Sequence, residues 1–231
     1  MPSIQDSTIL IIGGSSGIGY GVAEKCLTEG ARVHIASSNE SRVQSSTKSL
    51  REKISNAPIF GHVCDLSGAD VEKNLEQLLS TVAPIDHIVF TAGDSLAVMP
   101  LGSINLDLIQ RAGHIRFAVP LLMAKVAPRF LKPGYQSSIT LATGAGSQKP
   151  SPGWSLVAGY LTGLHGLTRN LALDLKPLRV NLGGVPDEMK NYTTLGKVGT
   201  PDEVAEAYVY LMKDTNATGS CISTNAGSLL L

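Results

Sequence analysis

Residues 10–19 read Leu-Ile-Ile-Gly-Gly-Ser-Ser-Gly-Ile-Gly, and no other stretch limits the fold as strongly. An apolar run at 8–12 leads into Gly13, Gly17 and Gly19, which open an amphipathic segment at 20–29. Strand, tight turn and helix N-terminus therefore follow in the order a phosphate site needs, because the first turn of a helix offers unpaired N–H groups to an anion. The three glycines meet three demands: a chain reversal, close approach of the main chain to a pyrophosphate, and contact between helix and strand. A glycine-rich surface turn with no ligand has the same local pattern, so the remaining chain has to decide.

That remainder alternates. Strand-like runs at 32–36, 59–64, 87–91, 138–143, 179–182 and 220–224 are separated by helical segments at 41–54, 68–81, 106–130, 156–175 and 201–211. The β-α rhythm predicts one α/β domain over 1–231, a Rossmann-type doubly wound parallel sheet with helices on both faces, since right-handed crossovers favour that arrangement. Hydrophobic residues make up 43% of the 231 positions, enough for a full core, and the formal net charge is zero. Zero charge gives no electrostatic footprint for nucleic acid or an anionic membrane surface. Residues 1–7 lack a basic leader region, and no apolar run reaches the roughly 18 residues of a membrane span. The expectation is a cytoplasmic protein acting on a small molecule, without nucleic acid or membrane as partner. Cys26, Cys64 and Cys221 lie far apart in apolar contexts and are expected as buried thiols, with no metal site.

Taken in order, further elements resemble the short-chain dehydrogenase/reductase family along nearly the whole chain. Gly13-X-X-X-Gly17-Ile18-Gly19, with Ser15 and Ser16 inside the turn, resembles the family's cofactor turn. Cys64-Asp65-Leu66 resembles the strand end whose Asp meets the adenine, and Thr91-Ala92-Gly93 resembles the Asn-Ala-Gly element under the sheet. Gly166-Leu167-Thr168-Arg169, Arg179-Val180-Asn181, the run from Gly199 to Ala205 and Thr218-Gly219 complete the series. The resemblance implies a nicotinamide cofactor. Members that take NAD usually end the second strand in an acidic residue, whereas Ser37-Ser38-Asn39 stands there in this chain. Ser37, Ser38 and Asn39 can donate to phosphate oxygens, and Arg42 adds a charge unless it is simply a solvated helix residue, so NADP(H) is the expected cofactor.

The family's catalytic Asn, Ser, Tyr and Lys are absent. Anchoring on Gly166-Leu167-Thr168-Arg169 and Pro152-Gly153 puts Val157 at the Tyr position, Leu161 at the Lys position and Gly144 at the Ser position, with the Asn missing around 113–115. Tyr160 lies nearly one helical turn beyond the Tyr position and would reach the pocket only after a shift. Two other features are candidates for the reaction site. Arg116 follows the lost Asn by one turn and either reaches into the pocket or makes a salt bridge elsewhere; Trp154, the chain's only tryptophan, ends the loop Pro150-Ser151-Pro152-Gly153-Trp154 as a substrate wall or a cap on the core. His114 faces away from Arg116 and is expected to be structural.

This combination resembles a narrower group within the family, the fungal reductase/Diels–Alderases of indole alkaloid biosynthesis leading to malbrancheamide and paraherquamide. Those proteins lack the usual catalytic set, carry a Pro-Asp-Pro-Gly-Trp loop and an Arg on the preceding helix, bind NADP(H), reduce an iminium-type precursor and shape a cycloaddition. Ser151 replaces the Asp here, and a neutral hydroxyl can only hydrogen-bond where a carboxylate would stabilise a cation. The resemblance implies Arg116, Ser151 and Trp154 as the reaction-site residues, a flat polycyclic substrate, and assembly as a homodimer or homotetramer. Reduction of an iminium or imine, stereoselective cyclisation, and a catalytically inactive NADP(H)-binding sensor or scaffold all remain compatible with these residues. The segment 183–198 is roughly fifteen residues shorter than the family's substrate lid, so either the lid is truncated or residues are missing from it.

Overall fold

A computed structural model describes residues 2–185 and 193–230. Seven strands, β1 (Thr8–Ile12), β2 (Arg32–Ser37), β3 (Ile59–Val63), β4 (His87–Phe90), β5 (Ser138–Gly144), β6 (Arg179–Val185) and β7 (Cys221–Ser223), form one sheet in the order β3-β2-β1-β4-β5-β6-β7. All six pairings are parallel, and Ile12 lies level with Ala36 on one side and Phe90 on the other. The order reverses between β1 and β4, which is where an open parallel sheet leaves a crevice beyond its strand ends.

Alternation along β1 shows why both faces are covered. Ile9 and Ile11 pack with Val22 and Cys26 of α1 (Gly17–Thr28), Leu50 of α2 (Glu40–Lys53) and Tyr208 of α7 (Pro201–Lys213). Leu10 and Ile12 point the other way, toward Leu75 and Leu79 of α3 (Val71–Val82), Met123 of α5 (Val119–Val126) and Leu164 of α6 (Ser155–Asp174). Successive strand residues face opposite sides, so a strand apolar at every position implies a sheet buried on both faces. The expected single doubly wound sheet is what the chain forms. Thr200 caps α7 in a capping box with Glu203, and Pro201 occupies the first turn as its sequence position predicts.

Two expectations change, and a third lies partly outside the described residues. The helix expected over 106–130 is broken: α4 (Leu106–Gly113) passes into a π-helical turn (His114–Ala118) before α5. A π turn inserts an extra residue, so α4 and α5 differ in phase by about 100° from one uninterrupted helix. Cys221 is exposed rather than buried, because it lies on the sheet's edge strand; Cys26 and Cys64 are buried free thiols as expected. The short lid expected at 183–198 falls partly at 186–192, outside the described residues. Among the described residues no helix is long and apolar enough to cross a membrane, and no group of acidic, His or Cys side chains could hold a metal ion.

Candidate active site

A cavity of about 880 Å³ opens at the C-terminal ends of β1, β2, β4 and β5. Its two halves are built differently. In the first, the glycine turn leaves β1 at Gly13, whose φ is +95° and whose N–H donates to Ala36 O at 2.8 Å. A Cβ at Gly13 would collide with the Ala92 backbone, and one at Gly19 with Gly13 O, so both positions exclude side chains on steric grounds. Ser15 is buried, and its carbonyl accepts from Ser46 Oγ of α2 at 2.7 Å, which fixes the turn from behind. Ser16 precedes α1 without a side-chain capping bond, and Gly17 has φ +52° with open space around its missing Cβ. The helix N-terminus is thus left uncapped toward the cavity, where it can receive an anion.

Ile18, Ala92 and Gly93 also line this half, as do Ser37 and Ser38 at the end of β2 and Arg42 in the first turn of α2. Asn39 does not line it: its Oδ1 caps α2, accepting from Arg42 N at 2.9 Å and Ser41 Oγ at 2.8 Å. Asp65 and Leu66, after β3, line this half as well. Ser67 donates its N–H and hydroxyl to Asp65 Oδ1 at 2.9 and 2.7 Å, and these bonds hold the Asp65 carboxyl below the ordinary carboxylate range. Burial pushes the adjoining Cys64 thiol up to about 11, so it remains a neutral thiol. The residues present therefore fit a dinucleotide: an uncapped helix end for the pyrophosphate, a polar and cationic corner at β2, and an ionised acceptor after β3.

The second half is where the family's proton-transfer groups would stand. Leu161 and Gly144 line it, and Val157 is buried behind it. Tyr160 is outside: its hydroxyl donates to Ile109 O at 2.7 Å. Arg116, half-buried on the π turn, enters the cavity and also makes the salt bridge weighed as its alternative. Its Nη2 donates to Asp94 O, and its Nε lies 3.1 Å from Asp94 Oδ1 without the alignment of a hydrogen bond. The guanidinium rests where a Cβ at Gly93 would come within 2.9 Å of it. Trp154 lines the wall as expected, its ring lying where a Cβ at Gly146 would be 2.7 Å away. Ser151 does not line the cavity; it is exposed on the outer side of the turn, and its carbonyl accepts from Trp154 N at 3.2 Å. Met99 N donates to Gly153 O at 2.9 Å, so the loops after β4 and before α6 close the rim together. His114 is structural, with Nε2 2.9 Å from Leu66 O.

Two contributors went unseen in the sequence. Asp94, directly after Thr91-Ala92-Gly93, places a carboxylate in the cavity wall beside Arg116; its place beside the glycine element was the available signal. Thr143 places a hydroxyl next to Gly144, bonded to Leu161 O at 2.9 Å. Among the described residues that line the cavity, the ionisable side chains are Arg42, Cys64, Asp65, Asp94 and Arg116, with no tyrosine, lysine or histidine.

An open parallel sheet with a glycine turn and an uncapped helix end at its switch point defines the class, a dinucleotide-binding α/β protein. Within that class the chain belongs to the short-chain dehydrogenase/reductase family, a family of oxidoreductases whose Rossmann domain takes a nicotinamide cofactor: residues 2–189 match the model of an SDR-like Rossmann domain. It is 40% identical over 253 aligned positions to the malC short-chain dehydrogenase/reductase of Malbranchea aurantiaca, covering 98% of this chain and 96% of that one. A short-chain dehydrogenase/reductase of Stachybotrys chlorohalonatus is also 40% identical, with full coverage of both chains. The solved structure of the MalC reductase/Diels–Alderase from Malbranchea aurantiaca superposes with a TM-score of 0.94 at 39% identity, covering 99% of this chain and 97% of that one.

Proposed function

We propose that this protein is an NADPH-dependent reductase of an iminium or imine carbon in secondary metabolism, on a flat polycyclic indole-alkaloid-type substrate that the same cavity folds for a stereoselective cyclisation. One observation carries the reading: the reaction half of the cavity holds a carboxylate and a guanidinium, and among its described lining residues no tyrosine, lysine or histidine to donate a proton. NADPH, when bound, would supply a hydride; added to an iminium carbon, it moves the C=N pair onto nitrogen and cancels the charge without a proton, whereas a ketone's alkoxide requires a donor. Losing such a donor costs roughly a hundredfold to a thousandfold in rate.

Asp94 offers a negative charge to a cationic substrate, and Arg116 keeps that carboxylate aimed into the cavity. Trp154 and Leu161 provide an apolar wall against which a planar substrate is held, which serves orientation in both reduction and ring closure. Ser37, Ser38 and Arg42 favour a 2′-phosphate at the end of β2, where no acidic residue repels one. Likeness to a reductase/Diels–Alderase at 39% identity supports the coupling of the two steps.

The test is NADPH oxidation by the purified protein with a cyclic iminium salt and with the ketone of matching skeleton. At least a hundredfold preference for the iminium is expected. Comparable rates on the ketone would overturn the reading, and tight NADPH binding with no turnover of either would favour a nucleotide-binding sensor or scaffold instead.

A further inference from the structure

Tyr160 has no place in proton transfer, yet its surroundings are unusual. It projects from α6 onto the junction between α4 and the π turn and touches that junction at three levels. Its hydroxyl donates to the carbonyl of Ile109, in α4. Its ring occupies the space above Gly113, the last residue of α4, where a Cβ would overlap the ring itself. The same ring packs against Phe117 inside the π turn, at 5.9 Å between centroids and 48° between planes.

The turn so gripped carries Ile115 and Arg116, both in the cavity wall. Beyond it, α5 is anchored independently, with Val119 and Met123 fully buried in the core. A π turn is less stable than the α-helix it interrupts, and relaxing to α-geometry would rotate α4 against α5 by about 100°. Such a rotation would carry Arg116 away from Gly93 and Asp94. Something must therefore fix the phase of α4 from outside its own helix: His114 bonds Leu66 O from the π turn itself, and Tyr160 contacts both sides of the junction.

We infer that Tyr160 is a positioning residue: it clamps the His114–Ala118 turn in its widened form, and by doing so holds Arg116 against Asp94 in the cavity. The mechanical part stands on these contacts alone; its effect on turnover rests on the function proposed above.

Two measurements on the full-length protein saturated with NADPH test it. In hydrogen exchange, Tyr160→Phe, which removes only the bond to Ile109, should raise exchange at 110–118 several-fold, and Tyr160→Leu should raise it further, with NADPH affinity unchanged. In iminium reduction, Tyr160→Phe should lower kcat about three- to tenfold, the scale of one lost hydrogen bond, leaving KM for NADPH unaltered. In an Arg116→Ala background the same change should have almost no effect on kcat, because the clamped group is gone. Unchanged exchange at 110–118 in both variants, or equal fold-losses with and without Arg116, would overturn the inference. If the unmodified protein turns over no iminium, the functional proposal falls and the exchange result alone decides the clamp.

Discussion

Two arginines at opposite ends of the sheet show how differently this chain uses one side chain. Arg179, at the N-terminal end of β6, is 2% exposed and donates to five carbonyls: Tyr135 and Gln136 before β5, and Leu211, Met212 and Asp214 at the end of α7. Arg116, at the cavity end, has one clear hydrogen bond to Asp94 O and a Nε with no aligned acceptor. The first is fully engaged by main chain and closes a helix C-terminus onto the sheet. The second keeps donors unclaimed at the edge of a cavity. Every donor of Arg179 is committed to the fold, whereas Arg116 keeps donor capacity beside the cavity.

The sharpest way to break this contrast is to remove each guanidinium. Arg179→Met should destabilise the protein by about 3–5 kcal/mol in urea unfolding, since five carbonyls lose their donor. Arg116→Met should cost under about 1 kcal/mol, as expected of a partly solvated pair, while depressing iminium reduction at least tenfold. Equal stability losses would mean that Arg116 is structural after all.

A smaller effect separates the ends by pH. His87, beside Arg179 and bonded through Nδ1 to Ser138 Oγ at 2.9 Å, is pushed down to about 4, first by burial and then by the Arg179 charge. The unfolded chain takes up this proton near 6.5, so stability from His87 is complete above that value and is lost as pH falls from 6.5 toward 4. Unfolding free energy should drop by about 2 kcal/mol between pH 7 and pH 5 on this account, and His87→Asn should remove that part of the slope. A slope identical in the variant would show that the lower end is not the pH-sensitive one. Smallest is the expected effect of Arg42→Ala, about a tenfold loss of NADPH affinity with NADH affinity unchanged, the loss of one charge-assisted contact. A parallel loss for both nucleotides would remove Arg42 from 2′-phosphate recognition.

The fold and the nucleotide half were legible because their signals are local. Unbroken apolarity in 8–12 reports a strand buried on both sides, and Gly13 to Gly19 hold their turn within seven residues. The reaction half depends on distant partners. Asp94 acquires meaning only from Arg116, and Arg116 reaches it only through a π turn, which has no sequence period of its own. Ser151 illustrates the converse error: loop resemblance placed it correctly in sequence, but a four-residue turn aims Trp154 inward and Ser151 outward. Spacing along α6 relates Tyr160 only to a vacant catalytic position, whereas its partner Ile109 lies 51 residues away in sequence.

Three large side chains in and beside the reaction half share one circumstance: Arg116 lies on Gly93, Tyr160 on Gly113 and Trp154 on Gly146. In each pair the space filled by the larger residue is space that any side chain on the glycine would occupy. At Gly113 and Gly146 the obstacle is a rigid ring, so alanine there would have to displace Tyr160 or Trp154, whereas the Arg116 guanidinium, at the end of a flexible chain, can give way at Gly93. Each glycine and the ring above it are therefore coupled sites, and Gly146→Ala should cost much more with Trp154 present than in a Trp154→Ala background.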